Sequence, residues 1–449
     1  MTVSPPPPLK DALTEKLAES LDMPLPAMTL RRVYGVTGLP GKATAVIGMR
    51  RAGKTTFLHQ LRGERLAEGR PRERLPYINF EDERLAGLEG NQLGYLLEEY
   101  ARRVPQAQGG VTWCFDEIQV VPGWERFVRR VLDAGRDEVI VTGSSAALLS
   151  REIATALRGR AWEVPLYPFG LAETLRHHGE PVPEDPGFLA AAVRARIERA
   201  FLDWLHTGGF PEAQGLADAT RRQLLQDYVD VAMLRDVVER HGVSNVIGLR
   251  WLVRHLLGNA ASPFSVEKFH ASLKSRGVAI SRDTVHRMLA HLEDCFLVRL
   301  VWMESNSERQ RMVNPRKVYP VDTGLIPVFD RSGRRNLGHA LETAVLIELE
   351  RRRCNVTYVR TPNGFEVDFL ARGPEGETEL IQVCADASDP DTAKRELRAL
   401  HEAGAAHPNA QRRLLTLTRD GAPAALPSGV VAQPAYEWML APPGDREWV

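Results

Sequence analysis

The stretch GMRRAGKTT, residues 48–56, decides the fold of this chain. It fits the pattern Gly-x-x-x-x-Gly-Lys-Thr, in which backbone amides turn inward around phosphate oxygens. It follows the apolar run ATAVIG and opens the amphipathic stretch KTTFLHQL, which predicts a loop between a buried strand and a helix. The dipole at the N-terminus of that helix favours an anion. We therefore predict a phosphate-binding loop; an accidental glycine-rich turn is the alternative.

The residues of this loop have separate predicted roles. Gly48 and Gly53 let the backbone turn toward the phosphates, Lys54 neutralises the β and γ phosphates, and Thr55 offers a hydroxyl to Mg²⁺. No segment resembles the guanine-reading Asn-Lys-x-Asp motif, so ATP is the predicted nucleotide, with Mg²⁺ as its metal. The predicted nucleotide-binding residues are Gly48, Met49, Arg50, Arg51, Ala52, Gly53, Lys54, Thr55, Thr56 and Asp116.

Outward from the loop, short apolar runs alternate with longer amphipathic stretches through residues 43–168. The runs are ATAVIG, LPYINF, VTWCFDE, EVIVTGSS and AWEVPLYP. Short buried strands that alternate with helices indicate a parallel sheet covered on both faces. The predicted fold class is therefore α/β, with a P-loop NTPase sheet followed by a helical lid.

Two of these runs end in polar side chains that can act on the nucleotide. Asp116 ends the third run and is the predicted second ligand of Mg²⁺, and Glu117 beside it can polarise the attacking water. Two solvated acids after an edge strand are the alternative. The fourth run ends in hydroxyls, of which we favour Ser144 over Thr142 and Ser145 as the contact to the γ phosphate. Ser144 and Ser145 can equally cap a helix.

Several segments that follow one another in order carry a family resemblance: GMRRAGKTT, YINFEDERL, WCFDEIQVVPGWERFVRRVLD, VIVTGSSAALLS, SRDTVHRMLAHLEDCFLVRLV, VYPVDTGL and GFEVDFLA. Together they resemble a widespread prokaryotic group of AAA+ type ATPases, whose C-terminal half is a domain of unknown function that contains a winged helix. The resemblance covers roughly residues 28 to 400. Together with the proline run near the N-terminus, which should be extended and mobile, it leads us to predict five parts. These are a flexible N-terminal segment (1–27), an ATPase core (28–170), a helical lid (171–244), a winged helix (245–325) and a restriction-endonuclease-like domain (326–449).

The ATPase architecture gives a role to Arg158 and Arg160, which end the helical pattern AALLSREIATALRGR. An arginine at this place can reach the nucleotide of a neighbouring subunit and stabilise the charge of the transition state. A cation that caps a helix C-terminus is the alternative. The finger role implies a homo-oligomer. The predicted catalytic residues are Glu117, Lys54, Ser144, Arg158 and Arg160.

The stretch PFSVEKFHASLKSRGVAISRDTVHRMLAHLEDCFLVRL, residues 263–300, reads as a helix-turn-helix in which Ser281 caps the second helix. Residues 245–318 carry twelve basic and six acidic side chains, a surplus of six positive charges in a chain whose formal net charge is +0. Such a local field attracts phosphate backbones. The alternative is a winged helix used only for packing against protein. The DNA-binding candidates are Arg282, Thr284, His286, Arg287, Lys274 and Arg276.

Three polar residues of the C-terminal part resemble the active site of the restriction-endonuclease-like fold. They are Glu342 on a predicted helix, Asp368 in the strand FEVD and Gln382 in the strand IQVC. In that fold, two acids and a Glu-x-Lys pair on adjacent strands hold magnesium and activate water. Gln382 can still offer an oxygen, but Cys384 takes the place of the lysine. We therefore expect a catalytically degenerate tail that binds DNA or a partner; purely structural acids are the alternative.

The remaining features restrict the class of protein. No apolar run approaches the roughly 18 to 20 residues of a membrane span, and the N-terminus MTVSPPPPLKD has no apolar signal core, so we expect a cytoplasmic protein without a membrane partner. The cysteines are widely spaced, which is typical of reduced thiols.

Three functions stay open on these grounds. The favoured hypothesis is an ATPase that acts on or with DNA in remodelling, loading or junction processing. One alternative is a signalling switch in which bound ATP toggles a protein interface in stress, defence or toxin–antitoxin control. The other is an ATP-regulated nuclease, which Cys384 makes less favoured.

Overall fold

A computed structural model describes residues 6–106, 109–144, 159–305, 307, 309–310, 314–330 and 336–441. The chain forms two compact units, one that ends at Leu166 and one that begins at Tyr167. The predicted start of the lid, at residue 171, lies four residues beyond the start of the second unit.

A parallel sheet forms the centre of the first unit, and its five strands are the five predicted apolar runs. They are β1 (Ala43–Ile47), β2 (Tyr77–Asn79), β3 (Thr112–Asp116), β4 (Glu138–Gly143) and β5 (Ala161–Pro165). The spatial order is β2-β3-β4-β1-β5, so β1 lies between β4 and β5. Because parallel strands share a direction, the loops that follow β1, β3 and β4 meet at one edge of the sheet.

Four helices accompany this sheet in the described residues: α1 (Pro7–Asp22), α2 (Lys54–Ala67), α3 (Gly94–Arg103) and α4 (Trp124–Asp133). The apolar side of α2 packs on the sheet through Phe57, Leu58 and Leu61, in one cluster with Val46 and Ile140. The i, i+1 and i+4 spacing of these three residues forms a single stripe on the helix. The packing fixes where α2 begins, directly after the glycine-rich loop.

Helix α1 corrects the prediction of a flexible segment over residues 1–27. The structure has a helix of 16 residues there, and Leu13 and Leu17 are fully buried. The buried Arg62 guanidinium of α2 donates to the carbonyl oxygen of Ser20 at 3.3 Å. The proline run is compatible with a helix because proline is tolerated in the first turn, where its missing N–H has no partner to lose. The apolar spacing beyond it therefore decides the structure.

The second unit begins with a helical region and contains ten helices in the described residues. They are α5 (Leu171–His177), α6 (Ala191–Thr207), α7 (Asp218–Val231), α8 (Val246–Gly258), α9 (Val266–Ser275), α10 (Arg282–Asp294), α11 (Ile326–Phe329), α12 (Leu337–Arg351), α13 (Pro390–Ala406) and α14 (Ala435–Leu440). A π-helical segment, Ala232–Glu239, continues α7. None of the helices in the described ranges is long and apolar enough to cross a membrane.

A mixed sheet of eight strands crosses the second unit. Its strands are β6 (Ser262–Phe264), β7 (Val298–Met303), β8 (Arg316–Pro320), β9 (Asn355–Arg360), β10 (Glu366–Arg372), β11 (Thr378–Val383), β12 (Gln411–Thr416) and β13 (Val430–Pro434). The order is β13-β12-β11-β10-β9-β7-β8-β6. Trp302 of β7 pairs with Thr357 of β9, so one sheet runs across the domain boundary predicted between residues 325 and 326.

The middle of this unit has the element order α8, β6, α9, α10, β7, β8. Ser281 precedes α10, and its hydroxyl accepts a hydrogen bond from the amide of Thr284 at 3.1 Å, which is the cap that the sequence predicts. The apolar face of α10 is buried as expected, through Val285, Met288, Leu289 and Leu292. The opposite face of α10 is therefore free to carry polar side chains on the surface.

Candidate functional site

The loop between β1 and α2 has the backbone that a phosphate-binding loop needs. Gly48 has φ +158°, and a Cβ at this position would lie 2.1 Å from the carbonyl oxygen of Leu166. Gly53 has φ +99° and precedes the first residue of α2. No side-chain hydrogen bond caps the start of α2, so its first amides are left for an anion. Glycine is required at both positions, for close packing at Gly48 and for the turn at Gly53.

Asp116, at the end of β3, is the centre of a hydrogen-bonded cluster. Thr55 donates to its Oδ2 at 2.8 Å, Tyr77 donates to the same oxygen at 2.8 Å, and Thr142 donates to Oδ1 at 2.5 Å. These residues come from α2, β2 and β4, and Asp116 is only 1% exposed. The parallel sheet therefore brings the predicted metal ligands Thr55 and Asp116 together.

The chemistry of this pair fits Mg²⁺, which prefers hydroxyl and carboxylate oxygens and keeps several waters. Burial raises the pKa of Asp116, while the hydrogen bonds from Thr142, Thr55 and Tyr77 lower it and so favour the carboxylate. A divalent cation beside the carboxylate would favour the ionised form in the same way. Thr55 and Asp116 would hold the metal.

Glu117 follows Asp116 in a left-handed conformation, with φ +53°. Such a conformation is costly for a residue with a side chain, and it turns Glu117 away from the path of the strand. The Glu117 amide donates to the Thr142 hydroxyl at 2.8 Å, and Gln119 donates to Glu117 Oε2. Burial raises the pKa of Glu117, but the ammonium of Lys54 and the hydrogen bond from Gln119 outweigh burial and lower it. Glu117 is therefore held as a carboxylate.

Lys54 is 5% exposed and lies within the loop that it would serve. Its ammonium donates to the carbonyl oxygens of Gly48 at 3.2 Å and Met49 at 3.3 Å, and it lies 3.5 Å from Glu117 Oε1. Lys54 and Glu117 therefore approach each other at the edge of the sheet where Asp116 lies.

The other predicted residues of the nucleotide site differ in burial and in their contacts. Met49 and Ala52 are buried, whereas Arg51 on the loop and Thr55 and Thr56 in the first turn of α2 are exposed. Arg50 donates to Glu81 at 2.8 Å. Ser144 is fully buried directly after β4. Within β4, the hydroxyl of Thr142 donates to Asp116.

The two predicted arginine fingers differ in what the structure describes. Arg158 lies outside the described residues, as does Ser145. Arg160 precedes β5, is partly exposed and forms an ion pair with Asp133 at the end of α4. Arg160 is therefore held within its own subunit by a surface carboxylate.

Most of the predicted DNA-binding residues lie on the surface of α9 and α10. Lys274, Arg276, Arg282, His286 and Arg287 are exposed, and Thr284 is half-buried. Arg282 donates to both oxygens of Glu267 at 2.9 and 3.1 Å, and Arg287 donates to Thr284 at 3.4 Å. The helices therefore share a surface that carries four guanidinium or ammonium groups from the predicted set, one of them already paired.

The C-terminal acids surround a lysine that the sequence reasoning missed. Lys317 Nζ, on β8, lies 2.9 Å from Glu342 Oε1, 2.9 Å from Asp368 Oδ1 and 2.8 Å from Glu366 Oε1. Tyr319, two residues along the same strand, donates to Glu342 Oε1 at 2.6 Å. Cys384 stands at the position of the Glu-x-Lys lysine, and β8 supplies a lysine to these acids from a different strand.

Burial and the neighbouring charges both shift the pKa values in this cluster. Burial lowers the pKa of Lys317, but the carboxylates of Asp368, Glu342 and Glu366 outweigh burial and raise it. Burial, and after it the Asp368 carboxylate, raise the pKa of Glu342 to about 7. Among the described residues, no group of three or more His, Cys, Asp or Glu side chains is arranged to hold a metal ion.

Gln382 is not part of this cluster. It donates to Glu396 of α13 at 2.7 Å, and α13 packs on the face of the sheet that carries Leu380 and Leu414. Helix α12, which carries Glu342, packs on the opposite face with Phe369 and Ile381. The register between β9 and β10 shifts between Val367 and Leu370, a bulge that contains Asp368. Because a bulge changes which side chains share a face, Asp368 reaches Lys317 while Gln382 does not.

Two protein families match successive parts of the chain. Residues 40–175 match the AAA domain family, and residues 198–334 match a domain of unknown function, DUF8612. The chain is 32% identical over 394 residues to the uncharacterized protein MJ1544 of Methanocaldococcus jannaschii, with 87% of this chain and 85% of that protein covered. The chain belongs to the same family as that protein, and its residues 40–175 belong to the AAA domain family. The chain is also 28% identical over 357 residues to an uncharacterized protein of Haemophilus influenzae, with 79% of this chain and 85% of that protein covered.

Two solved structures overlap part of the ATPase. The Walker-type ATPase PABY2304 of Pyrococcus abyssi is 17% identical, with a TM-score of 0.40 and coverage of 71% of this chain and 95% of that chain. The ORC2 protein of Aeropyrum pernix, in ADPNP–ADP complexes, is 16% identical, with a TM-score of 0.36 and coverage of 72% and 91%.

Proposed function

We propose that this AAA+ ATPase hydrolyses ATP at the loop between β1 and α2 and uses the reaction to act on DNA. The observation that carries the proposed hydrolysis is that four side chains converge at one edge of the sheet: Lys54, Thr55, Asp116 and Glu117. Thr55 Oγ1 lies 2.8 Å from Asp116 Oδ2. Each of these groups matches one need of phosphoryl transfer, which depends on positioning and on neutralising charge.

The proposed chemistry assigns one task to each residue. The amides of the loop and of the first turn of α2 hold the phosphates, and Lys54 neutralises the charge on the β and γ phosphates. Mg²⁺, held by Thr55 and Asp116, supplies charge stabilisation on the phosphate oxygens. Glu117 accepts a proton from the attacking water, and Ser144, beside β1, contacts the γ phosphate. Thr142 is a positioning residue, because it donates to Asp116 and accepts from the Glu117 amide.

The test of this part is nucleotide binding and turnover by the whole chain. Lys54→Ala should abolish binding of a fluorescent ATP analogue or its hydrolysis in the presence of Mg²⁺. A matched control is Lys394→Ala, an exposed lysine on α13 in the second unit. Hydrolysis by Lys54→Ala at the rate of the control would overturn the proposal.

The proposed DNA surface is the unit formed by α8, β6, α9, α10, β7 and β8. This order of elements is that of a winged helix, in which the helix equivalent to α10 enters the major groove. The exposed Arg282, His286 and Arg287 on the N-terminal half of α10 support this role. Two further cations, Lys274 on α9 and Arg276 directly after it, extend the same positive surface and can contact phosphates.

Coupling between the two parts is tested by the rate of ATP hydrolysis with and without DNA. We expect duplex or junction DNA to stimulate hydrolysis, and the stimulation to fall steeply as salt is raised. A rate that is unchanged by duplex, single-stranded and junction DNA would leave the ATPase and remove its proposed DNA role.

We further propose a homo-oligomer in which Arg158 or Arg160 completes the nucleotide site of a neighbour. Arg160 must leave Asp133 to do so, which makes the ion pair a competitor of the active assembly. Mixing Lys54→Ala chains with Arg160→Ala chains tests the idea, because each chain can supply what the other lacks. Measured mass with ATP bound should rise, and a monomer at full activity would overturn the assembly.

A second candidate function is an ATP-regulated nuclease, which Lys317 favours. Its ammonium lies among Glu342, Glu366 and Asp368 and is of the kind that assists attack of water on a phosphodiester. Mg²⁺-dependent nicking of plasmid DNA that is lost in both Asp368→Asn and Lys317→Met would support it. Intact DNA after incubation with ATP, Mg²⁺ and the wild-type chain would exclude it.

A further inference from the structure

A groove with a volume of about 1030 Å³ lies in the second unit between α7, α8 and α9. Arg250, Trp251 and Arg254 line it from α8, Lys268 and Ser272 line it from α9, and Arg276 lines it directly after the end of α9. Residues 268 and 272 are one turn apart, so they share one face of α9. The two helices thus form a continuous wall that carries four cationic side chains.

Three of these cations have no partner within the described residues. Arg250, Arg254 and Lys268 are exposed, and their side chains form no hydrogen bond or ion pair there. Most of the exposed arginines elsewhere in this unit are bonded, as Arg282 is to Glu267 and Arg398 to Glu402. A row of unpaired cations along a groove is suited to a ligand with several negative charges.

The same wall exposes an aromatic ring. Trp251 is 40% exposed, and the guanidinium carbon of Arg276 lies 4.9 Å from the centre of its ring. A large apolar ring in a charged groove offers a flat surface for stacking. The groove is also lined by acids, Asp227 and Asp230 on α7 and Asp330 directly after α11. An anionic ligand would therefore lie along α8 and α9 and avoid α7.

We infer that this groove binds a single-stranded segment of nucleic acid, with bases stacked on Trp251 and phosphates held by Arg250, Arg254 and Lys268. A positively charged groove that combines backbone contacts with an aromatic platform is the arrangement that single strands need. Arg276 belongs both to this groove and to the proposed DNA surface on α9 and α10, so a strand can pass from one to the other. The inference rests on the proposed DNA role and specifies the form of the nucleic acid.

The test measures fluorescence anisotropy of the whole chain with two labelled probes, an oligothymidylate of about twenty nucleotides and a duplex of similar length. Trp251→Ala should weaken single-strand binding by roughly 5- to 100-fold, as expected for loss of base stacking. Trp251→Phe should recover part of the loss because it restores a ring. Arg250→Ala/Arg254→Ala should lower the slope of log affinity against log salt by roughly 1 to 1.5. Lys394→Ala, which removes a cation from exposed α13, is the matched control.

The outcomes separate this inference from the proposed DNA role. Wild-type chain that binds neither probe would remove both. Duplex binding that is weakened by Arg287→Ala, together with single-strand binding that Trp251→Ala and Arg250→Ala/Arg254→Ala leave unchanged, would overturn the groove alone. Polyglutamate that binds as tightly as the oligonucleotide, and is equally sensitive to Trp251→Ala, would overturn it in favour of an acidic protein partner. Retained melting temperature in each variant shows that a loss of binding is not a loss of folding.

Discussion

Lys54 Nζ lies 3.5 Å from Glu117 Oε1, and the two side chains are only 4% and 10% exposed. The lysine that should neutralise phosphates is thus partly neutralised by the acid that should activate water. A bound triphosphate competes with Glu117 for the ammonium, and Lys54 can then release Glu117 to face the water. The pair therefore links occupancy of the loop to the state of the proposed base.

The variant Glu117→Gln should separate ATP binding from hydrolysis. Turnover should fall by about 10² to 10⁴, the usual worth of a general base, because a neutral amide cannot accept the proton. Affinity for ATP should be equal or higher, since Lys54 no longer has a carboxylate to compete with phosphate. Steady-state hydrolysis and binding of a fluorescent ATP analogue measure the two effects. Glu83→Gln is the control, and a Glu117→Gln chain that hydrolyses ATP like this control would refute the role.

The Tyr77 hydroxyl gives a prediction about pH. Burial raises the pKa of Asp116, and the hydrogen bond from Tyr77 is one of three that lower it. Tyr77→Phe keeps the ring but removes this bond, so the pKa of Asp116 should rise further. The carboxylate is then lost at higher pH, and the acid limb of the activity profile should move upward.

The check for Tyr77→Phe is the ATPase rate from pH 5.5 to 8.5 at several Mg²⁺ concentrations. The defect should be largest at the acid end and should shrink when Mg²⁺ is raised. Tyr100→Phe, which removes a hydroxyl bonded to the carbonyl of Glu73 in the same unit, should leave the profile in place. A Tyr77→Phe profile that is uniformly lowered without a shift would show that the hydroxyl does not act through Asp116.

Local pattern was enough to predict the first unit. The five apolar runs became the five strands of the parallel sheet, because buried strands between helices need near-continuous apolar sequence. The spacing of Gly48, Gly53 and Lys54 was also sufficient, since all belong to one loop. Tyr77 escaped notice because its contact with Asp116 joins residues 39 positions apart. The periodicity of a sequence gives no sign of a contact between residues so far apart in the chain.

In the second unit, the local sequence pattern was not enough to predict which charges lie on the surface. The counted surplus of charge between residues 245 and 318 overstates the surface field, because Arg299 bonds to Glu350 at 2.8 Å and Lys317 is buried among acids. Glu350 and the three acids around Lys317 all lie outside the counted segment. Lys317 could be suspected only as a lysine inside the strand pattern RKVYP, where burial of an ammonium demands carboxylates nearby. Which carboxylates they are depends on a bulge at Asp368, and the sequence carries no sign of it.

Substitutions of Glu267 and Arg282 should change the affinity for duplex DNA in opposite directions. The guanidinium of Arg282 is bonded to Glu267, and both side chains are more than half exposed. Arg282→Ala should weaken duplex binding and lower the salt slope by roughly 0.9, the value for one phosphate contact. Glu267→Ala should strengthen binding, because it frees the same guanidinium and removes a negative charge. Anisotropy titrations over a range of salt measure both.

A failure of this pair of variants would be informative. If both Arg282→Ala and Glu267→Ala leave duplex affinity unchanged, this end of α10 does not meet the phosphate backbone. His286→Ala, whose side chain is exposed one turn further along the helix, then tests whether the contact lies deeper along α10.

Asp322 should make stability depend on pH. Its oxygens accept from the amides of Gly209 at 2.7 Å and Gly324 at 3.0 Å, yet burial raises its pKa to about 6. Because the folded pKa lies above the ordinary value of 3.8, the contribution is fully present below about pH 4 and is lost as pH rises through 6. The shift corresponds to about 3 kcal/mol.

The measurement is urea unfolding of the wild-type chain and of Asp322→Asn at several pH values between 4 and 8. The wild-type chain should lose stability relative to Asp322→Asn across this interval, so the difference between the two curves isolates one group. Asp391→Asn, at an exposed position on α13, should run parallel to the wild type. A difference that stays constant with pH would show that Asp322 is ionised throughout.

Removing the charge of Lys317 should lower the free energy of unfolding. Its side chain is 3% exposed, and Lys317→Met keeps the length while removing the charge that Glu342, Glu366 and Asp368 share. Breaking a buried ion pair by removing one partner costs about 3 to 5 kcal/mol, because the other charges stay buried without compensation. The loss should be larger at pH 8 than at pH 5, since burial raises the pKa of Glu342 to about 7 and the protonated form needs no cation.

Two additions to Lys317→Met identify the cause of the loss. The double variant Lys317→Met/Glu342→Gln should recover part of the stability, because one of the uncompensated charges is gone while the acceptor for Tyr319 remains. Mn²⁺ or Mg²⁺ should stabilise Lys317→Met more than the wild type if a divalent cation can replace the ammonium. Equal stability of Lys317→Met and the wild type at pH 8 would mean that the carboxylates already share protons, and that the lysine is free to serve a bound phosphodiester.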